Sequence, residues 1–167
     1  ARTPFGSFLG KLAKFSASYL GAQAIKETVN RAKLDSKLID EVIVGNVLSA
    51  GIGQAPARQA AIFSGLEKST NCMTINKVCG SGMKAIMLAD QSIQLGQSNF
   101  IIAGGMESMS NTPHYLMNSR LGTKLGNIKQ VDGMVHDGLC DVYNQVHMGN
   151  HGEACAEKYK ITRKDQD

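Results

Sequence analysis

Ile75-Asn76-Lys77-Val78-Cys79-Gly80-Ser81-Gly82-Met83-Lys84-Ala85-Ile86 reads as a strand that turns sharply into a helix. A strand is expected at about Met73 to Val78, and the two glycines bracketing Ser81 permit the tight turn. Beyond it Met83, Ala85, Ile86, Met87, Leu88, Ala89 and Ile93 are nearly all apolar, a composition that predicts a buried helix from about Ser81 to Leu95. Cys79 stands at the amino end of that helix. Unpaired backbone N–H groups and the positive end of the helix dipole suit a nucleophilic sulfur there, and the same N–H groups suit an oxyanion. Glycines alongside let a bulky substrate approach the backbone. On spacing alone two readings of Cys79 stay open: a nucleophile, or a small cysteine packed at a strand-helix junction. Between Gly80 and Asn99 the one acid is Asp90 and there is no His, so a nucleophile here takes its base from elsewhere in the fold.

The flanking pattern sets this turn in an α/β layer. From about Ser16 to Lys33, Ala17, Leu20, Gly21, Ala24, Ile25, Thr28 and Val29 fall on one arc of a helical wheel, with Gln23, Lys26, Glu27 and Asn30 opposite. Glu41 to Leu48 is β-branched and apolar, bounded by Asp40 and the Gly51-Ile52-Gly53 turn, and reads as a strand. A helix follows at about Ala55 to Phe63, with Pro56 suited to a first turn, and a strand is expected at about Phe100 to Ala103. Strands alternating with helices predict a mainly parallel sheet covered on both faces.

After Gly104-Gly105 the character changes. Residues 106 to about 150 carry scattered glycines and polar residues without periodicity, as a long functional loop does. Arg163 to Asp167 looks like the start of a helix. The 167 residues carry 18 basic and 14 acidic side chains, a formal charge of +4 that is spread rather than clustered. With no Trp and only 5% aromatics, neither an electrostatic footprint nor a stacking platform for nucleic acid is present. No apolar run approaches the roughly 18 to 20 residues needed to cross a bilayer. Cys72, Cys79, Cys140 and Cys155 form no C-x-x-C and suit a reducing compartment.

The run Asn76-Lys77-Val78-Cys79-Gly80-Ser81-Gly82 resembles the nucleophilic-cysteine signature of the thiolases. Further segments resemble the same family in the same order: Arg2 to Phe8, Gly51 to Gln59, Ala103-Gly104-Gly105-Met106-Glu107-Ser108-Met109-Ser110, Asp137-Gly138-Leu139 and His147-Met148-Gly149. The His-Met-Gly triplet is similar to the acetoacetyl-CoA branch, the acetyl-CoA acetyltransferases, and the wording around Asn76 to Met87 is similar to the mitochondrial animal type. The resemblance implies a thiolase-like α/β fold, of which residues 1–106 are the amino-terminal domain. Residues 107–167 would then start the inserted loop region that binds coenzyme A.

It also implies chemistry. Cys79 is the acyl-accepting nucleophile, His147 and Met148 line the pantetheine and acyl pocket, and Leu139 contacts coenzyme A. From the residues alone His147 is better read as a solvated or hydrogen-bonded loop histidine. His147 and His151 stand i, i+4, but Gly149 and Gly152 argue against a rigid helix there and no third ligand is near, so no metal is expected. Met73, Met83 and Met87 are expected in the core. Glu107 suits either a hydrogen bond to backbone N–H groups near the turn or a solvated loop position.

Further expectations by resemblance are acetyl-CoA and acetoacetyl-CoA as substrates, no tightly bound cofactor, a homotetramer, and a mitochondrial matrix location with the cytoplasm as alternative. A potassium site, where the family has one, would lie past Asp167. The family's catalytic His and second Cys are expected in a carboxy-terminal half, since no Gly-His-Pro or Cys-x-Gly-Gly-Gly run occurs here. These residues by themselves are therefore expected to transfer little acetyl. Where the family has Ala-Glu-Asn, this sequence has Gly152-Glu153-Ala154, a departure that bears on loop packing. The alternatives are another condensing enzyme of the superfamily, of the ketoacyl or hydroxymethylglutaryl-CoA synthase kind, or a non-catalytic dimerisation or lipid-carrier module.

Overall fold

The structure, a computed structural model, describes residues 1–167. The chain divides into two compact units, Ala1–Pro113 and His114–Asp167, and residues 106–113 belong to the first.

In the first unit, β1 (Glu41–Gly45) lies between β2 (Asn71–Ile75) and β3 (Ile101–Gly105), and both pairings are parallel. The strand alternation of β1 sorts its side chains between two cores. Val42 and Val44 join Ala17, Ile25, Ala57, Ala60 and Met106 on one face, while Ile43 meets Ala85 and Ala89 on the other. The first face is covered by α1 (Ala17–Ala32) and α2 (Pro56–Ser64), the second by α3 (Ser81–Gln94). The parallel sheet with helices on both faces is the α/β architecture expected.

Local signals place the ends of these elements. Ser16 caps α1 by accepting the Tyr19 N–H, and α1 buries Ala17, Ser18, Gly21, Ala22 and Ile25 while Gln23, Lys26, Glu27 and Asn30 stay exposed. Pro56 occupies the first turn of α2. The strand expected to run to Leu48 stops at Gly45, because the Val47 and Leu48 N–H groups turn to the Glu107 carboxylate. The strand expected to run to Val78 stops at Ile75, because the Asn76 side chain captures the Val78 N–H at 2.9 Å, an Asx-turn.

Helix α3 corrects one expectation. Only Ser81, Ala85 and Ala89 are buried, whereas Met83 (71% exposed), Ile86, Met87 and Ile93 face outward, and Met73 is also exposed. A sheet covers one face of a helix. The small residues of α3 occupy that face with Leu88 at its edge, so Met83, Ile86, Met87 and Ile93 are not core in this chain.

The second unit is more ordered than its composition predicts. β4 (His114–Leu116) and β5 (Gln130–Asp132) pair antiparallel, a π-helical turn follows at Val135–Leu139, and α4 (Met148–Tyr159) and α5 (Arg163–Gln166) complete it. Helix α4 runs through both Gly149 and Gly152, against the expectation from those glycines. Thr162 and Asp165 form a reciprocal capping box that starts α5, the helix expected from Arg163.

Candidate active site

Cys79 is exposed and unpaired with any other cysteine. It sits at the apex of an elbow between β2 and α3, one residue before the cap residue Gly80. The unusual backbone is at Val78, whose φ is +47°, and not at the glycines; Gly80 has an ordinary φ of −86°. A β-branched residue in the left-handed region costs about 1–2 kcal/mol. Three bonds hold it there. The Asn76 carboxamide oxygen accepts the Val78 N–H at 2.9 Å, the Ser81 hydroxyl donates to the Val78 carbonyl at 2.6 Å, and the same hydroxyl accepts the Lys77 N–H at 2.8 Å.

Ser81 is only 4% exposed and clamps both sides of the elbow. Sequence reasoning passed over it as the residue between two glycines. The available signal was a hydroxyl at the first helical position, where it can reach back to the preceding turn.

The floor beneath the elbow is glycine. Gly45 and Gly105 are register partners on adjacent strands. A Cβ on Gly45 would lie 2.5 Å from the Ser81 Cβ and 2.9 Å from the Gly82 nitrogen, and a Cβ on Gly105 would lie 3.5 Å from the Gly82 Cα. The first turn of α3 thus rests directly on backbone. As first-turn residues of α3, Gly82 and Met83 have N–H groups without helical acceptors, next to an exposed sulfur. Chemically this is an exposed thiol beside free backbone donors, an arrangement suited to thioester acyl transfer.

Glu107 resolves to the first of its two sequence readings. Its carboxylate accepts from Asn46 Nδ2 at 2.8 Å, from the Val47 N–H at 2.9 Å and from the Leu48 N–H at 3.2 Å. Burial pushes its pKa up, against the pull of those three donors, and burial prevails.

The other predicted site residues belong to the second unit. Leu139, half-buried, closes the π-helical turn, and an antiparallel bridge between Cys140 and His147 brings Leu139 and Met148 to the two sides of one loop. Asp141 folds that loop, its carboxylate accepting the Tyr143 and Asn144 N–H groups. His147 caps α4: its Nδ1 accepts the Gly149 N–H at 3.0 Å, which leaves Nε2 to carry the ring proton and donate outward. His147 and Met148 are exposed. The π-helical turn is moored by Asp137, which accepts from the Tyr115 hydroxyl at 2.6 Å and lies 2.8 Å from His136 Nδ1. The Tyr115 and His136 bonds hold the Asp137 carboxyl below the usual carboxylate range, and Asp137 pushes Tyr115 up to about 12.

Comparison with known proteins places the chain in a family. Residues 1–167 match the family model described as "Thiolase, N-terminal domain". Over its whole length the chain is 57% identical to acetyl-CoA acetyltransferase 2 of Arabidopsis thaliana, covering 41% of that protein, and 53% identical to the mitochondrial acetyl-CoA acetyltransferase A of Xenopus laevis, covering 39%. It is 52% identical to a cytosolic acetyl-CoA acetyltransferase of Gibberella zeae, covering 42% of it. The chain spans about two fifths of the length of these curated relatives. With a cysteine-bearing elbow between strand and helix and a family match from its first residue to its last, the chain belongs to the thiolase family.

Proposed function

We propose that this chain is the nucleophile-bearing part of an acetyl-CoA C-acetyltransferase. The Cys79 sulfur adds to the thioester carbonyl of acetyl-CoA, the carbonyl oxygen becomes an oxyanion, and its collapse expels the coenzyme A thiolate to leave an acetyl-thioester on Cys79. A second acetyl-CoA, deprotonated at its methyl carbon, attacks that acetyl group. The new C–C bond gives acetoacetyl-CoA and returns the thiolate to Cys79; the reverse is thiolysis. The free N–H groups at the start of α3 suit the oxyanion, and the resemblance assigns the α-proton to a base outside these residues.

In this reading Leu139, His147 and Met148 receive coenzyme A, with the His147 Nε2–H as an outward donor on an otherwise apolar trio. The observation that carries the proposal is the exposed Cys79 on a bonded, left-handed elbow at a helix start. Incubating the full-length protein with acetyl-labelled acetyl-CoA and mapping peptides tests it: label on Cys79, lost in Cys79→Ser, is expected. Folded protein that takes no label at Cys79 refutes it.

Three finer points rest on resemblance to relatives: a homotetramer, measurable by sedimentation; stimulation by potassium over sodium; and a mitochondrial location, supported by the likeness to the Xenopus enzyme, with the cytoplasm as the alternative supported by the fungal one.

A further inference from the structure

We infer that Glu107 is a positioning residue for the Cys79 elbow, its carboxylate stapling the carboxyl ends of β1 and β3 so that the Gly45 and Gly105 floor stays in register beneath α3. The inference rests on the reading of Cys79 as the nucleophile.

Glu107 follows Gly105 by two residues, and the groups it holds follow Gly45 directly. Its three donors are the Asn46 side chain and the Val47 and Leu48 backbones, at 2.8, 2.9 and 3.2 Å. Asn46, 1% exposed, adds two more ties: its Nδ2 donates to the Met106 carbonyl at 3.2 Å, and its backbone N–H to the Ile75 carbonyl at 3.0 Å. The ends of all three strands therefore meet at one buried amide and one carboxylate. From there the path to the nucleophile is short. Asn76 Nδ2 reaches the Val47 carbonyl at 3.5 Å, the weakest link, and the other end of that amide holds the Val78 N–H beside Cys79.

A carboxylate is suited to this place because it offers acceptors for several N–H groups and no donor of its own. An amide of the same length would point an N–H at one of the backbone donors. Burial raises the proton affinity of Glu107, so its charge is held at a cost to stability, a pattern found where a group serves a site.

The test compares Glu107→Gln and Glu107→Asp with the unmutated full-length protein. Three readouts are needed: kcat and KM for acetoacetyl-CoA thiolysis, the iodoacetamide rate at Cys79, and labelling of the half-buried Cys72 as a monitor of folding. If the floor slips by about 1 Å, Glu107→Gln loses about 100-fold in kcat with KM within about threefold, and Cys79 alkylation slows in parallel. Glu107→Asp, which keeps the charge, recovers at least about tenfold of that loss. Cys72 stays protected throughout. Unchanged kcat and Cys79 rates in a folded Glu107→Gln protein overturn the inference. A Glu107→Gln protein that exposes Cys72 also overturns it, since the carboxylate would then serve the fold at large. If Cys79 of the unmutated protein reacts no faster than the exposed Cys155, the nucleophile reading itself falls, and this inference with it; a fast Cys79 indifferent to Glu107 sinks the inference alone.

Discussion

Replacing Gly45 by Ala tests whether backbone proximity beneath the elbow matters. The added Cβ would stand 2.5 Å from the Ser81 Cβ, 2.8 Å from the Ser81 carbonyl carbon and 2.9 Å from the Gly82 nitrogen. Carbon atoms settle at about 3.5–4.0 Å, so the first turn of α3 must retreat by about 1 Å. Two of the three atoms met are backbone, and no rotamer change relieves them. Overpacking of this kind costs about 1–3 kcal/mol, and each kcal/mol lowers Tm by at most roughly 2–4 °C in a protein longer than about 150 residues. Displacement of Cys79 by about 1 Å costs about 100-fold in acyl transfer. Calorimetry of the full-length protein, with the rate of Cys79 acetylation, reads both effects. Gly104→Ala is the control: nothing lies within 4 Å of its Cβ, and the change is expected to stay within about 0.5 kcal/mol. Gly45→Ala behaving like Gly104→Ala in both readouts would refute the argument that the helix after Cys79 is seated on bare backbone.

Ser81→Ala leaves the Lys77 N–H without its acceptor and the Val78 carbonyl without its hydroxyl donor; a loss of about 1–3 kcal/mol in denaturant unfolding and a slower Cys79 alkylation are expected. Tyr115→Phe removes the hydroxyl that moors Asp137. Asp137 is held low, so its contribution is present above the ordinary carboxylate range and lost as pH falls through the lowered value. Tyr115 is pushed up to about 12, so its contribution is present below about pH 10 and lost as pH rises towards 12. Ultraviolet titration should show a late-ionising tyrosine that Tyr115→Phe abolishes, and stability curves for the variant should be flatter at both extremes. His147→Ala removes both the cap of α4 and the outward Nε2–H; a raised KM for coenzyme A substrates with little change in Cys79 alkylation is expected, and an unchanged KM would remove His147 from the binding site.

How far these elements were legible depended on whether the deciding force was local. The β-branched, apolar run through Val42, Ile43 and Val44 and the apolar arc of α1 are local signals, and both match the elements found. The ends of β1 and β2 were not legible. Each is decided by a side-chain oxygen, Glu107 for one and Asn76 for the other, competing for backbone N–H groups that a strand would use. Glycine spacing around Ser81 pointed to the right turn and the wrong strain: the left-handed residue is Val78, and the glycines that make close approach possible, Gly45 and Gly105, lie on other strands.

The apolarity of α3 shows why composition alone misjudges burial. Met83, Ile86, Met87 and Ile93 make the helix rich in large apolar residues, yet the residues it buries are Ser81, Ala85 and Ala89. Small residues allow the helix start to approach Gly45 closely, and a larger side chain at Ser81 or Ala85 would lift it away. The position of Cys79 is therefore tied to side chains that contribute little burial themselves. Their size sets the separation between helix and sheet, and the bonds of Asn76 and Ser81 hold the Val78 backbone that precedes the sulfur. A thiol at this junction with Ala in place of Gly45 would keep the same neighbours in sequence and lose the close seat of α3 on which its exposure beside free N–H groups depends.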